Sequence, residues 1–369
     1  MPSSSEKLYR ALAERVVNQS LRVNKTDTVT IQTWEHTVEL AEEIAQACFE
    51  KGADVMLNLY TDRYYSGYLN TLPVESLKEP SKFCTSLAEV STIEIFAGAI
   101  EDPRLFDRIP PEKRAADREG EQKAHGPRLK GRKPRTATLG LALVTPARAD
   151  VYGIDYLEWR KMMLQASNID YDEVSKTGKR VADLLEKSST VRIESPGGTN
   201  LSFELGGREP VVDDGIIDDQ DIAEGHLDVT IPAGSVSIAP LESSVTGTVH
   251  FDSPLFFRGK VLKGLSMRFE EGRLEKLGAK FNEKVLMDAY NGALGDRDRL
   301  ASFTIGLNSE AKAGYIVNSI TEGSITIGIG ANRQLGGTNS TNFYLGATLS
   351  NASAYLDDFQ LVKEGKLQL

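Results

Sequence analysis

The sequence predicts an α/β protein with two parts, an N-terminal α/β domain with parallel strands and a C-terminal β-rich α+β domain. A strand, a helix and a second strand follow one another over residues 28–60, which is the pattern of a βαβ unit. β-Branched runs separated by turns dominate beyond about residue 188. The chain has 369 residues, enough for two domains, and we place them at 1–187 and 188–369.

The N-terminal domain opens with an amphipathic helix, because apolar residues recur at helical spacing from Leu8 to Val17. The run TVTIQT predicts a strand, HTVELAEEIAQACFEKG a helix that ends at Gly52, and ADVMLNLYT a second strand. A crossover of this length implies a parallel pair. STIEIFAGAI and TATLGLALVT predict further buried strands, and two helices within 152–188 then close the domain.

The C-terminal half alternates strands and turns. PGG at 196–198 and EEG at 270–272 predict hairpin turns, and NEKVLMDAYNGAL predicts a helix. The acidic stretch 213–228 lacks the DxDxDG spacing of a calcium loop. We therefore interpret it as a solvated loop with helix-capping acids.

Composition narrows the function classes. The 43 Lys and Arg residues against 53 Asp and Glu give a net charge of −10, which argues against a dedicated nucleic-acid binder. We find no apolar run long enough to span a membrane and no secretory segment, so we expect no membrane partner and a cytoplasmic location. The basic stretch 113–135 is interpreted as a solvated helix and loop, with a contact to an acidic partner left open.

The sequence lacks the usual local signatures of catalysis. Cys48 and Cys84 are interpreted as reduced, buried thiols, and two cysteines cannot build a disulfide framework. The four histidines form neither HxH nor HExxH. A GxSxG elbow, a P-loop and a GxGxxG fingerprint are also missing.

Several segments together resemble one family. They include LAERVVNQSLRVNKTDTVTIQT, STVRIESPGGTNLSFELGGRE, the long block from IPAGSVSIAP to MRFEEGRL, FTIGLN and EGSITIGIGAN. In order and spacing these are similar to segments of the aminopeptidase T and aminopeptidase S family of metallopeptidases. The fold is also similar to that of 2,5-dihydroxypyridine dioxygenase, an iron enzyme. The resemblance implies an aminopeptidase T-like fold and a homodimer.

The resemblance also implies a metal site, but this chain departs from it there. Family members hold two divalent metals with glutamates, histidines, a tyrosine and an aspartate. The matching positions in this chain are Ser235, Ser302, Thr326, Arg333, Tyr344 and Gly346. Zinc, cobalt and iron need carboxylate, imidazole or thiolate ligands, whereas serine and threonine offer only weak neutral donors. We therefore predict that the family's metal site is absent, with no cofactor.

Three further polar residues lie near these positions in the sequence. Glu242 follows the first replaced position, while His250 and Asp252 alternate on a strand and could share one face. A divalent metal such as zinc at displaced ligands of this kind remains an alternative.

We predict a metal-free pseudo-peptidase that binds a peptide or small polar ligand in an interdomain cleft. The alternative is an active hydrolase, or another enzyme, that uses residues outside the family's set. A partner protein remains open.

Overall fold

The βαβ unit predicted from residues 28–60 is present in the computed structural model, which describes residues 4–125 and 133–369. The α-helices are α1 (Ser4–Arg15), α2 (Val38–Glu50), α3 (Asp62–Thr71), α4 (Val74–Leu77), α5 (Lys82–Val90), α6 (Pro111–His125), α7 (Pro146–Tyr152), α8 (Tyr156–Ser167), α9 (Tyr171–Lys187), α10 (Asp219–Glu224) and α11 (Glu283–Asn291). Helix α2 ends as predicted, since Gly52 takes a left-handed φ of 76° and donates to the Phe49 carbonyl.

The strands divide between a parallel sheet and antiparallel sheets. They are β1 (Thr28–Trp34), β2 (Asp54–Tyr60), β3 (Ile93–Phe96), β4 (Arg135–Leu139), β5 (Thr190–Glu194), β6 (Asn200–Glu204), β7 (Val211–Asp213), β8 (Asp228–Ile231), β9 (Ser235–Ile238), β10 (Thr246–His250), β11 (Leu255–Phe257), β12 (Lys260–Leu262), β13 (Ser266–Glu270), β14 (Arg273–Gly278), β15 (Leu300–Gly306), β16 (Ile325–Gly330), β17 (Tyr344–Leu349), β18 (Ser353–Leu356), β19 (Phe359–Lys363) and β20 (Lys366–Leu367).

The chain forms two compact units that exchange segments. One unit contains Met1–Asn168 with Gly215–Pro232, and the other contains Ile169–Asp214 with Ala233–Leu369. A single boundary at 187/188, as placed from composition, does not describe this division. Composition marks where the strands become frequent, but it cannot show that a later segment returns to an earlier sheet.

The first unit contains a parallel sheet in the order β2-β1-β3-β4-β8. The sequence predicts β1 and β2 as the strands of the βαβ unit and β3 and β4 as further buried strands. Strand β8 comes from DVTI, which we had placed in the C-terminal domain, and it pairs in parallel with β4. Helix α2 packs on β1 and β2, and α1 packs on α2.

The second unit contains an eight-stranded sheet, ordered β14-β13-β10-β6-β5-β18-β19-β20, and a five-stranded sheet, ordered β17-β16-β15-β9-β7. The turns predicted at PGG and EEG join the antiparallel pairs β5–β6 and β13–β14. The predicted helix in NEKVLMDAYNGAL is α11. Both sheets are antiparallel throughout.

The core of the second unit lies against one face of the five-stranded sheet. Phe303 on β15 packs edge-to-face on Phe203 of the eight-stranded sheet, with ring centroids 5.5 Å apart. Helix α9 covers β7 so closely that a Cβ on Gly178 would lie 2.5 Å from Val212 Cγ1. The domain boundary predicted from the sequence assigns α9 to the first domain. The buried side of α9 instead packs on strands of the second unit.

Candidate functional site

The other face of the five-stranded sheet carries a continuous set of hydroxyl groups. Side chains alternate along a strand, and directly paired residues of antiparallel strands share a face. The register pairs Thr304 with both Ser237 and Thr326, and Thr326 with Thr348. We call this set the hydroxyl face; its members are Ser235, Ser237, Ser302, Thr304, Thr326, Tyr344 and Thr348.

Tyr344 lies across the hydroxyl face and reaches a buried serine. Its Oη is 2.9 Å from the Oγ of Ser302, which is 1% exposed. A Cβ atom on Gly328 would lie 2.3 Å from Ser302 Oγ and 2.8 Å from Tyr344 Oη. A Cβ on Gly346 would lie 2.9 Å from the same Tyr344 oxygen. Two glycines on neighbouring strands therefore leave the space that the phenol group occupies.

The remaining hydroxyls pair with one another across strands. Ser237 and Thr304 are 2.8 Å apart between their side-chain oxygens, and Thr326 and Thr348 are 2.7 Å apart. Ser235 is buried at the end of β9, opposite Gly306 and Asp213. Five predicted positions, all except Arg333, therefore lie on the five-stranded sheet, and the structure brings Ser302, Tyr344 and Gly346 together.

This donor set does not match that of a zinc or iron site. Its seven members offer neutral hydroxyls, the carboxylate of Asp213 lies at the opposite edge of the sheet from Tyr344, and burial raises the pKa of the Tyr344 phenol despite the hydrogen bond with Ser302. Over residues 4–125 and 133–369, the structure has no group of three or more His, Cys, Asp or Glu side chains that could hold a metal ion.

Asp213 was missed as a residue of this face. The acidic stretch was interpreted as a loop, and its later part does cap a helix, since the Asp218 carboxylate accepts from the backbone N–H groups of Gln220 and Asp221. Asp213, however, ends strand β7 and pairs directly with Ser235. The signal in the sequence was the preceding Val211-Val212 pair, which is typical of a short strand.

Arg333 lies beside this face in a 3₁₀ turn, Arg333–Leu335. It is exposed and lines an open cavity of about 700 Å³ together with Tyr344. We call this space the Arg333 cavity; it is lined by Ala331, Asn332, Arg333, Gln334, Leu335, Asn339, Ser340, Thr341 and Tyr344. The lining combines apolar surface with several amide and hydroxyl groups, and Arg333 supplies its charge.

Glu242 holds the loop that forms this cavity. Its carboxylate, 7% exposed, accepts two hydrogen bonds from Arg208 at 2.9 and 2.7 Å and one from Asn332 Nδ2 at 2.9 Å. It also accepts from the Thr338 backbone at 2.8 Å. Burial alone would raise the pKa of Glu242, but these donors outweigh it and hold the pKa at about 2. Glu242 is thus a positioning residue for the loop.

Two buried asparagines complete this network. Asn332 Oδ1 accepts from the Asn339 backbone, and Asn339 Nδ2 donates to the carbonyls of Leu300 and Gly330 at the ends of β15 and β16. Sequence reasoning missed both residues. The run GANRQLGGTN does carry a signal, because Gly and Asn cluster where a strand gives way to a structured turn.

His250 and Asp252 do not join the hydroxyl face. His250 is exposed at the end of β10 in the eight-stranded sheet. The Asp252 carboxylate accepts from the backbone N–H groups of Ser350 and Asn351 at 2.7 and 2.9 Å. Asp252 therefore anchors the turn at Ser350 and Asn351.

The cysteines and the basic stretch take structural positions. Cys48 is buried, which raises the pKa of its thiol to about 12. Cys84 is only partly buried, so the prediction of two buried thiols was wrong for this residue. Part of the basic stretch, 126–132, lies outside the described residues. Arg135 forms a partly buried ion pair with Asp27 at 2.8 Å, while Lys113 and Lys123 donate to backbone carbonyls.

Comparison with known proteins places these features in context. The family model described as thermophilic metalloprotease (M29) matches residues 5–297. Aminopeptidase T from Thermus aquaticus is 23% identical over 332 residues, covering 79% of this chain and 76% of that protein.

Two solved structures share the fold. Wild-type AmpT from Thermus thermophilus has a TM-score of 0.73 at 16% identity, covering 99% of this chain and all of that one. 2,5-Dihydroxypyridine dioxygenase from Pseudomonas putida has a TM-score of 0.59 at 15% identity, covering all of this chain and 98% of that one. The predicted aminopeptidase T-like fold is confirmed. Within the described part of the chain, no helix is both long and apolar enough to cross a membrane.

Proposed function

Since the chain belongs to the thermophilic metalloprotease (M29) family, we propose that it is a member without the family's metal site, a pseudo-peptidase that binds a peptide or small polar ligand. One observation carries the proposal. At the positions where the resemblance implies metal ligands, Tyr344 shares a hydrogen bond with buried Ser302 over two glycines, and this supports a site built from hydroxyls.

The charge balance of the site supports this proposal. A divalent cation in a protein is normally offset by carboxylates or thiolates, or bound by several imidazoles. The hydroxyl face offers neutral oxygens near Tyr344, and the nearby Arg333 carries a positive charge. A dication would lose its hydration there without gaining strong ligands. The proposed function therefore does not use a metal ion.

The burial of the serines argues against nucleophilic catalysis at this face. A serine nucleophile needs an adjacent base and access to the substrate. Ser302 is 1% exposed, and its hydroxyl hydrogen-bonds to a phenol whose pKa is raised. A neutral phenol is a poor general base near neutral pH. An active hydrolase therefore needs residues elsewhere.

The Arg333 cavity indicates which ligand would bind. A guanidinium group binds a carboxylate in a bidentate manner, and the surrounding amides of Asn332, Gln334 and Asn339 can pair with polar or peptide groups. We therefore expect a ligand that carries a carboxylate, such as the C-terminal end of a short peptide. Tyr344 would contribute an aromatic wall.

The ligand is tested with a pair of tripeptides that differ only at the C-terminus, one a free acid and the other an amide. Titration calorimetry should show binding of the acid, and Arg333→Gln should weaken it about tenfold or more. Arg180→Gln removes the same charge from the exposed side of α9 and should leave the affinity unchanged. Equal binding of acid and amide, or an equal effect of both variants, would exclude Arg333 as the carboxylate group's partner.

The enzyme alternative is tested separately with aminoacyl amides. We expect no hydrolysis above background with or without added zinc, cobalt or iron. Turnover that purifies with the protein and survives a chelator would instead support a metal-free hydrolase. Turnover that a chelator abolishes would support displaced metal ligands.

The proposal retains two expectations, the first of which follows from the family resemblance. We expect a homodimer and a cytoplasmic protein. Light scattering on the purified full-length chain tests the first expectation, and fractionation of the native host tests the second.

A further inference from the structure

A second cavity lies entirely within the first unit, on the polar face of the parallel sheet. The register places Thr30, Gln32 and Trp34 of β1 on one face with Asn58 and Tyr60 of β2, and Glu94 of β3 shares that face. These residues line a space of about 490 Å³. Residues of α3, α5 and α6 complete its walls; they are Tyr65, Cys84, Leu87, Glu121 and Ala124.

An adjoining space of about 110 Å³ shares part of this lining, namely Tyr60, Tyr65, Cys84, Glu121 and Ala124. We call the two together the tyrosine cavity. It has no assigned role in the proposed function, and every residue named here belongs to the first unit.

Aromatic side chains line much of the tyrosine cavity. Trp34 stacks on Tyr60 with ring centroids 5.1 Å apart, and Tyr65 meets Trp34 edge-on at 6.4 Å. Tyr64 packs on Tyr60, and Tyr68 on Tyr65. The faces of such rings carry partial negative charge and attract cations.

Carboxylates also line the tyrosine cavity. Glu94 is buried in the sheet and Glu121 lines both spaces while remaining accessible to solvent. Asp117 is buried and accepts a hydrogen bond of 2.7 Å from the Tyr65 hydroxyl. The described lining contains these carboxylates and no lysine, arginine or histidine, which favours a cationic ligand over an anionic one.

Trp34 supplies an independent sign that a ligand belongs here. It is 6% exposed and lines the cavity, yet its indole Nε1–H has no acceptor among the described residues. A buried donor without an acceptor costs free energy, which a bound acceptor group would recover.

We propose that the tyrosine cavity binds an organic ammonium compound that also carries a hydrogen-bond acceptor. The aromatic rings and the Glu121 carboxylate would surround the cationic group, and Trp34 Nε1–H would donate to the acceptor. A metal ion fits less well, because the acidic side chains of the described chain form no group able to hold one. The aromatic walls also favour an organic cation over a hydrated inorganic ion.

The chain provides a built-in reporter for this proposal. Its two tryptophans are Trp34, in the cavity, and Trp159, in α8. Titration with choline or ethanolamine should change the fluorescence of Trp34. The signal should persist in Trp159→Phe, which leaves Trp34 as the sole reporter, and disappear in Trp34→Phe. The neutral choline isostere 3,3-dimethyl-1-butanol should give no saturable change.

Two matched variants on α6 test whether a carboxylate of the cavity contributes to binding. Glu121→Gln removes a carboxylate from the cavity and should weaken choline or ethanolamine binding about tenfold. Glu119→Gln makes the same change on the exposed side of the helix and should have little effect. Both positions are solvent-accessible, so neither variant should prevent folding.

A final comparison distinguishes a small ammonium compound from a peptide N-terminus as the natural ligand. It uses a tripeptide amide whose N-terminus is either free or acetylated. Binding of the small ammonium ions or of the free peptide amine, weakened by Glu121→Gln, supports the site and identifies its source. Absence of saturable binding by every ammonium probe would overturn the proposal. Equal binding of the neutral isostere, or equal effects of the two glutamine variants, would overturn it as well.

Discussion

The side-chain oxygens of Ser302 and Tyr344 lie 2.9 Å apart, and this hydrogen bond joins strands β15 and β17 across the intervening strand β16. The strand between them contributes only Gly328 at this point, so the phenol can lie flat on the sheet. The pair occupies positions where the family resemblance implies metal ligands. Its stability and geometry are therefore the first features to test.

A double-mutant cycle measures the Ser302–Tyr344 interaction directly. We expect Ser302→Ala and Tyr344→Phe each to lower the free energy of unfolding, because each leaves a desolvated hydroxyl unpaired. The double variant should be more stable than additivity predicts, by about 1 kcal/mol. Urea unfolding of the four proteins gives this coupling, and a value of zero would mean that the hydrogen bond contributes nothing.

Gly328 provides a steric test of the same arrangement. Gly328→Ala should displace the Tyr344 phenol and cost about 1–3 kcal/mol, since its Cβ would lie 2.3 Å from Ser302 Oγ and 2.8 Å from Tyr344 Oη. Gly197→Ala, in the β5–β6 turn, is the control, because its nearest neighbour is 3.5 Å away and its φ is ordinary. Thermal unfolding that ranks the two variants equally would argue against the observed packing.

The lowered pKa of Glu242 predicts that the stability of the protein depends on pH. Its pKa falls to about 2 in the folded protein from an ordinary value near 4.5. A depressed pKa stabilises the fold above the ordinary value, and this stabilisation is lost as the pH falls towards about 2. Glu242→Gln should therefore cost about 3 kcal/mol near neutral pH, and the difference from wild type should shrink below about pH 4.5.

The control for Glu242 is Glu270→Gln on strand β13. Glu270 pairs with Arg268 at 3.6 Å, and both side chains are exposed. A surface pair of this kind contributes about 0–1 kcal/mol, so its loss should be small at every pH. A pH-independent penalty for Glu242→Gln would show that the carboxylate's charge is not what stabilises the loop.

The two cysteines should differ in reactivity. Burial raises the pKa of Cys48 to about 12 and blocks access, whereas Cys84 is partly exposed in the tyrosine cavity. We expect iodoacetamide to alkylate Cys84 in the native protein and to spare Cys48. Peptide mapping by mass spectrometry checks this, with unfolded protein as the control in which both react. Comparable native labelling of Cys48 would contradict its burial.

Local patterns predicted much of the fold. The βαβ unit, the PGG and EEG hairpins and helix α11 each follow from periodicity and turn residues within one segment. The return of β8 to the first sheet could not be predicted this way. Its alternating DVTI pattern indicates a half-buried strand but not the partner, which is chosen by packing far away in sequence.

The same distinction applies to the site. Family resemblance located Ser235, Ser302, Thr326 and Tyr344, but only the register shows which hydroxyls meet. The role of Glu242 depends on Arg208, Asn332 and Thr338, which converge on it from distant segments. No spacing in the sequence predicts that convergence. The tyrosine cavity was missed for the same reason, because its walls come from strands and helices separated along the chain.

The central claim is that this family member has no metal site, and elemental analysis of the purified full-length protein tests it most directly. The protein is incubated with zinc, cobalt or iron, passed through a desalting column and analysed for metal per chain. We predict substoichiometric metal under every condition, and equal content in wild type and Tyr344→Phe. One or two tightly held equivalents per chain, removed by a chelator, would contradict the account.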